Sequence, residues 1–93
     1  MLDAIRSYVA QHESQFVKLL MDYTNQPSLA TDPEGITRCV EFIRTVMEDA
    51  GITTQVLPSA GNPMVYGELR AEREDAPTIL FYGHYDVQPP DPI

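Results

Sequence analysis

Two helical patterns followed by three strand-like segments predict an α/β fold for this chain of 93 residues. Apolar residues recur with helical spacing in residues 2–24 and 33–50, and strand-like patterns occupy residues 52–57, 64–70 and 79–82. An amphipathic helix and a one-sided strand each bury their apolar face against another element. We therefore expect one domain in which two N-terminal helices pack on a partial sheet of about three strands.

The composition is acidic, with six basic and fourteen acidic side chains and a net charge of −8. Such a surface repels nucleic-acid phosphates and anionic membranes, so we expect neither as a partner. No stretch approaches the roughly 20 apolar residues that a membrane span needs. A single cysteine, Cys39, cannot form an internal disulfide. The composition therefore favours a cytoplasmic protein.

The first helix is predicted by one apolar stripe at spacings of three and four. The stripe comprises Ile5, Val9, His12, Phe16, Leu19, Leu20 and Tyr23. Pro27 disfavours helical geometry at the residue before it, so the helix should end there. His12 is accordingly interpreted as a residue of the helix face rather than as a metal ligand.

The second helix is predicted by turn chemistry at both ends. Thr31 and Glu34 have the spacing of a capping box, and Pro33 suits a first helical turn. Gly51 is the expected C-terminal cap. The buried stripe is predicted to comprise Ile36, Val40, Ile43, Met47 and Ala50, with Cys39 and Val46 at its margins. Cys39 is interpreted as a small buried apolar residue rather than a nucleophile.

The three strands differ in pattern. Residues 52–57 and 64–70 alternate, as half-buried strands do, whereas residues 79–82 form an unbroken apolar run. Such a run suits a central strand that is covered on both faces. We therefore expect an edge-to-centre strand order, with Gly83 ending the central strand and Pro89 preventing its continuation.

His84 and Asp86 follow the predicted central strand. Since extended backbone sends alternate side chains to one side, both should point the same way. The carboxyl ends of strands are where open α/β sheets bind ligands. Imidazole is a common zinc ligand, and a nearby carboxylate can orient it. One His and one Asp fall short of the roughly three protein ligands of a catalytic zinc site, so a surface turn with a hydrogen-bonded histidine remains an alternative.

Residues 83–90, Gly-His-Tyr-Asp-Val-Gln-Pro-Pro, resemble the first metal motif of the co-catalytic zinc metallopeptidases. This family includes carnosinase, cytosolic nonspecific dipeptidase, glutamate carboxypeptidase, aminoacylase, acetylornithine deacetylase and succinyl-diaminopimelate desuccinylase. The run is most similar to the dipeptidase branch, since the deacylases more often resemble His-Thr-Asp-Val-Val-Pro. Pro27-Ser28, Ala50-Gly51 and Gly61-Asn62-Pro63 also fit the resemblance, which therefore extends over the whole chain.

The resemblance implies a role for each residue of the pair. His84 would bind one of two zinc ions, and Asp86 would be the catalytic aspartate that supports this histidine. The other parts of the family site would lie downstream: a bridging aspartate, a Glu-Glu pair, another acidic ligand and a late histidine. Residues 1–93 would then be the N-terminal part of the catalytic domain. A second, smaller domain for dimerisation and lid closure would be absent, and the intact protein would be a homodimer.

The function that the resemblance implies is zinc-dependent hydrolysis of dipeptides or other small amides. An N-acyl amino acid deacylase of the same family is an alternative, and a non-catalytic α/β interaction module or remnant is another. The chain stops at residues 91–93, directly after the motif, which predicts a fragment of a longer protein. We expect the 93-residue chain alone to be inactive as a peptidase and to bind zinc weakly.

Overall fold

The computed structural model describes residues 1–91, which form three helices and a two-stranded antiparallel sheet. The elements are α1 (Leu2–Gln11), α2 (Glu13–Asn25), α3 (Pro33–Asp49), β1 (Thr53–Leu57) and β2 (Met64–Glu68). The predicted α/β class is confirmed, although the order and number of elements differ in detail. Residues 92 and 93, which belong to the predicted end of the chain, lie outside the described residues.

Helix α3 begins as the sequence predicts, but with a different cap. Pro33 occupies its first turn, and Asp32 is the N-cap residue with extended backbone torsions, φ −109° and ψ 97°. No side chain caps the helix, so the predicted capping box of Thr31 and Glu34 does not form. The Glu34 carboxylate instead lies 3.5 Å from Arg38, one turn further along the helix. The fixed φ of proline is therefore the local signal that starts this helix.

Helix α3 ends in a Schellman motif, which confirms Gly51 as the cap. Gly51 has a φ of +86°, a conformation that costs glycine little because it has no Cβ. Its N–H donates to the Glu48 carbonyl at 2.9 Å, and the Ile52 N–H donates to the Met47 carbonyl at 2.9 Å. The chain thereby reverses direction and enters β1.

The buried core is formed along α3. Ile36, Cys39 and Val40 are its buried apolar residues, with exposures of 3%, 1% and 5%. Cys39 is thus central to the core rather than marginal, whereas Ala50 is exposed, against the prediction. Burial of a valine or isoleucine side chain contributes about 1.5–3 kcal/mol. So small a core gives this part of the chain a modest stability.

The sheet has the alternation that the sequence predicts. β1 and β2 pair in antiparallel register, with Thr54 opposite Gly67 and Val56 opposite Val65. Gly67 faces the end of the Met47 side chain from α3, so a larger residue there would meet Met47. The absence of a side chain at Gly67 therefore lets α3 pack closely on the sheet.

The predicted single helix of residues 2–24 is wrong, because the chain breaks at His12. His12 has φ −112° and ψ 15°, outside helical geometry, and separates α1 from α2. Its Nδ1 atom lies 2.8 Å from the Tyr8 carbonyl oxygen, and its ring stacks on Tyr8 with centroids 4.1 Å apart. The side chain therefore shares a carbonyl that also accepts the His12 N–H at 3.1 Å. A side chain that competes for a helical carbonyl oxygen can distort the helix at that point.

The two predicted helices differ in how they meet the sheet. The predicted second helix, α3, packs on β1 and β2 as expected, whereas the predicted first helix, which forms α1 and α2, does not cover the sheet. The apolar residues of α1 and α2 remain largely exposed, with Ile5 at 53% and Leu20 at 61%. α2 meets α3 through the rings of Tyr23 and Phe42, whose centroids are 6.2 Å apart. Both helices have the predicted amphipathic pattern, but residues 1–91 leave most of its apolar face uncovered.

The predicted buried central strand of residues 79–82 is also wrong. This segment forms no strand, and its side chains are 74–88% exposed. A central strand needs a neighbour on each edge, and within residues 1–91 the two strands of the sheet pair with each other. An apolar run shows that a segment can be buried, but burial also requires other elements to pack against that segment. The sheet of the described residues therefore has two strands rather than three.

None of the helices formed by residues 1–91 combines the length and the apolar character that crossing a membrane requires.

Candidate functional site

The segment that carries His84 and Asp86 is anchored to the loop after α2. Leu29 and Val87 form an isolated parallel bridge. The Val87 N–H donates to the Ser28 carbonyl oxygen at 2.9 Å, and the Ala30 N–H donates to the Val87 carbonyl oxygen at 2.8 Å. At Val87, the loop of residues 28–30 therefore provides the backbone hydrogen bonds that a neighbouring strand would otherwise provide.

Tyr85 provides two further anchors. Its carbonyl oxygen accepts a hydrogen bond from Ser28 Oγ at 2.8 Å, and its own hydroxyl donates to the Pro63 carbonyl oxygen at 2.6 Å. Burial raises the pKa of Tyr85, and the neighbouring Asp86 carboxylate raises it further. The phenol therefore stays neutral and remains a donor across the physiological range.

His84 and Asp86 lie side by side, as the alternation of an extended backbone predicts. His84 Nδ1 is 3.1 Å from Asp86 Oδ1. An ionised carboxylate can only accept, so this contact favours the tautomer with the proton on Nδ1. Tyr82 Oη lies 3.2 Å from Nε2, which in that tautomer accepts a hydrogen bond from the Tyr82 hydroxyl. The same tautomer is the one that would present Nε2 as a ligand.

The pair opens into a cleft of about 700 Å³. The cleft is lined by Tyr23, Ile43, Gly61, Asn62, Pro63, Met64, Val65, Tyr82, Gly83, His84, Tyr85 and Asp86. The His84 side chain is 71% exposed, while that of Asp86 is 33% exposed. The ring therefore faces the solvent of the cleft, and the carboxylate that orients it lies deeper.

The donor chemistry of this pair fits one ligand position of a zinc site. A neutral imidazole with its second nitrogen bonded to a carboxylate is a frequent arrangement around zinc. Within residues 1–91, however, no three His, Cys, Asp or Glu side chains converge into a group that could hold a metal ion. The described residues therefore fit a partial site, in which His84 is the ligand and Asp86 its orienting partner.

The structure brings together the two residues that the sequence singled out, and their roles stay predictions. His12 lies at the junction of α1 and α2, where it contacts Tyr8 and Phe16 rather than the cleft. Sequence reasoning missed Ser28 and Tyr85 as anchors. The sequence predicts a loop at Pro27-Ser28, but no local pattern pairs Ser28 with a residue 57 positions later.

Comparison with known proteins adds no relative, because no family model, no curated protein and no solved structure matches this chain. The functional interpretation therefore rests on the geometry of the pair and on the resemblance of residues 83–90.

Proposed function

We propose that this chain is the N-terminal part of the catalytic domain of a zinc-dependent dipeptidase. In this proposal, His84 binds one of two zinc ions and Asp86 is the catalytic aspartate beside it. The observation that carries the proposal is the 3.1 Å contact between His84 Nδ1 and Asp86 Oδ1, at the edge of an open cleft. The remaining ligands and the general base would come from protein outside residues 1–93.

Each residue of the pair has a physical task. His84 offers the Nε2 lone pair to the metal, and Asp86 holds the Nδ1 proton, which fixes the ring plane and increases the basicity of Nε2. Tyr82, now 3.2 Å from Nε2, would have to release this atom for a metal to bind. When bound, zinc would polarise the amide carbonyl and lower the pKa of water towards neutrality.

The substrate class is argued from the cleft and from Gln88. A volume of about 700 Å³ lies within the range of small-molecule sites. Gln88 occupies a position where the deacylase branch more often has valine, and this difference favours dipeptides over N-acyl amino acids. We therefore propose dipeptides, or similarly small amides, as substrates.

The gene tests this proposal directly. We expect the reading frame to continue past codon 93 and to encode an Asp-x-Lys-like motif and a Glu-Glu pair. A genuine stop codon at that point would instead support a non-catalytic module or remnant. The sequence beyond residue 93 is thus the observation that separates an enzyme from an interaction domain.

Activity of the intact protein separates the two enzyme classes. We expect hydrolysis of Ala-Ala-type dipeptides to exceed that of N-acetyl amino acids, and chelation of zinc to abolish it. A preference for N-acetyl amino acids would favour the deacylase. His84→Ala should remove activity, whereas His12→Ala, which changes the other histidine, should leave it unchanged.

A further inference from the structure

The loop after α2 fixes the backbone on both sides of Asp86. Ser28 Oγ donates to the Tyr85 carbonyl oxygen at 2.8 Å. The Val87 N–H donates to the Ser28 carbonyl oxygen at 2.9 Å. The first bond holds the peptide group before Asp86, and the second holds the peptide group after it. Ser28 therefore restrains both backbone torsions of Asp86, which lie between these two groups.

Burial gives the Ser28 hydroxyl little choice of partner. Ser28 is 8% exposed, and its side chain lies beside the thiol of Cys39 in the core. A buried hydroxyl is costly to leave without a strong acceptor, and a thiol is only a weak one. The Tyr85 carbonyl oxygen is the strong acceptor within reach, so the hydroxyl is committed to it.

His84 depends on this restraint because little else holds its ring. Its side chain is 71% exposed, so packing does not fix the imidazole. The contacts that orient it are the Asp86 carboxylate at 3.1 Å and the Tyr82 hydroxyl at 3.2 Å. Of these, Tyr82 is itself 84% exposed, whereas Asp86 follows the fixed backbone. The orientation of His84 is thus inherited from the backbone of Asp86.

We infer that Ser28 is a positioning residue for the His84–Asp86 pair, a role that rests on the metal-binding function proposed above. Ser28 touches neither metal nor substrate. It acts through the backbone of Tyr85 and Val87, which keeps the Asp86 carboxylate beside His84 Nδ1 and so fixes the orientation of the ring. The buried Ser28 thereby affects how well the exposed imidazole of His84 is oriented to bind a metal.

The metal-free protein provides the first test, through the ring nitrogens of His84. Nitrogen-15 NMR of the imidazoles distinguishes the two neutral tautomers, and the His12→Gln variant assigns the signals of the two histidines. We expect wild-type His84 to be predominantly protonated at Nδ1, and Ser28→Ala to mix the tautomers. Ser28→Thr, which keeps a hydroxyl, should restore the wild-type state. Ser14→Ala removes an exposed hydroxyl from α2 and should change nothing.

Zinc affinity provides the second readout. Removal of groups that orient a metal-binding histidine weakens metal binding by about 10–100-fold. Since Ser28 acts one step further away, we expect Zn²⁺ titration of Ser28→Ala to show a loss of about tenfold, at the lower end of that range. Wild-type tautomer and affinity in folded Ser28→Ala would overturn the inference.

The two proposals fail in distinguishable ways. If Zn²⁺ does not perturb wild-type His84, the metal-binding function fails, while the tautomer of the metal-free variants still decides the role of Ser28. Should Ser28→Ala lose its circular dichroism signal, Ser28→Cys under reducing conditions replaces it, since a thiol is a weak donor of similar shape. A folded Ser28→Cys protein with the wild-type His84 tautomer would then refute the positioning role.

Discussion

Asp86 lies beside Nδ1 of His84, where its carboxylate favours a proton on that nitrogen. The carboxylate accepts from Nδ1 at 3.1 Å, and this contact joins residues only two positions apart. Local alternation of an extended chain is enough to place them together, which is why the sequence could predict the pair. The contact between Ser28 and Tyr85 spans 57 positions, and it depends on how a loop and a distant segment meet in space. No local pattern encodes that meeting.

Asp86→Asn should weaken zinc binding at His84 by about 10–100-fold. An amide can donate as well as accept, so the variant no longer selects the Nδ1-protonated tautomer. Zn²⁺ titration followed by the His84 imidazole signals measures the change. Asp49→Asn removes the same charge from an exposed position at the end of α3 and serves as the control. Equal affinities of the two variants would contradict the assigned role of Asp86.

Cys39 should resist thiol reagents in the folded protein. It is 1% exposed, and burial raises the pKa of its thiol above the ordinary value of 9.0, an effect that the nearby Ser28 side chain only partly opposes. The thiolate that would react is therefore scarce and inaccessible. We expect alkylation at pH 8 to follow unfolding, and urea to accelerate it strongly. Rapid labelling without denaturant would show that the α3 core is open.

The same thiol predicts a loss of stability at alkaline pH. The folded-state pKa of Cys39 lies above its unfolded value, so folding favours the protonated form. Its contribution is complete below the ordinary pKa of 9.0 and is lost as the pH rises through the higher folded-state value. Urea unfolding of Cys39→Ala should therefore depend less on pH in this window than that of wild type. An identical pH dependence of the two proteins would contradict the raised pKa.

At the level of elements, α3 was predictable because its signals are local. The period of its apolar residues, Pro33 in the first turn and Gly51 after the last one all lie within the segment itself. The strands β1 and β2 were predictable for the same reason. The prediction of a buried strand at residues 79–82 was wrong because burial depends on the surrounding structure. The break at His12 could not be predicted because a ring that stacks on Tyr8 does not interrupt the apolar period.

Gly35→Ala should destabilise the contact between α3 and the loop that anchors the site. A Cβ built on Gly35 would lie 2.6 Å from Asp32 Oδ2 and 3.0 Å from the Pro27 carbonyl oxygen. The backbone oxygen cannot move aside easily, so the loop must shift. We expect a loss of about 1–3 kcal/mol in the free energy of unfolding, which urea denaturation measures.

Gly61→Ala is the matched control for this prediction. Gly61 has no atom within 4 Å of an added Cβ, and its φ is not in the positive range. The substitution should therefore leave stability within about 0.5 kcal/mol of wild type. Equal effects of the two substitutions would show that the loop and α3 are not in close contact.

On the scale of the whole molecule, the described residues are extended. Their radius of gyration is 16.0 Å, with principal extents of 48, 31 and 21 Å. A compact domain of this length would have a radius of gyration of about 12 Å. The difference arises because α1, α2 and residues 79–82 keep their apolar side chains exposed. The chain thus presents more apolar surface than a small core of its own can cover.

We expect this surface to cause self-association at high concentration. Residues 76–83 carry no charged side chain, so the net charge of −8 does not protect this apolar segment directly. An exposed apolar segment that belongs to no helix or strand favours pairing with another chain. Light scattering should show a mass that rises with concentration, and Leu80→Lys should reduce the rise. Leu20→Lys places the same charge on exposed α2. A larger effect of Leu80→Lys than of Leu20→Lys would identify residues 76–83, and not the helices, as the contact surface. A concentration-independent monomer would contradict the expectation.

A Zn²⁺ titration of the 93-residue chain, followed by imidazole nitrogen-15 NMR, decides whether His84 is a metal ligand that Asp86 orients. We expect the His84 Nε2 signal to shift well before either signal of His12, with an affinity weaker than micromolar because one ligand and its partner make only part of a site. Equal response of the two histidines, or no response of His84 at saturating Zn²⁺, would show that His84 is not such a ligand.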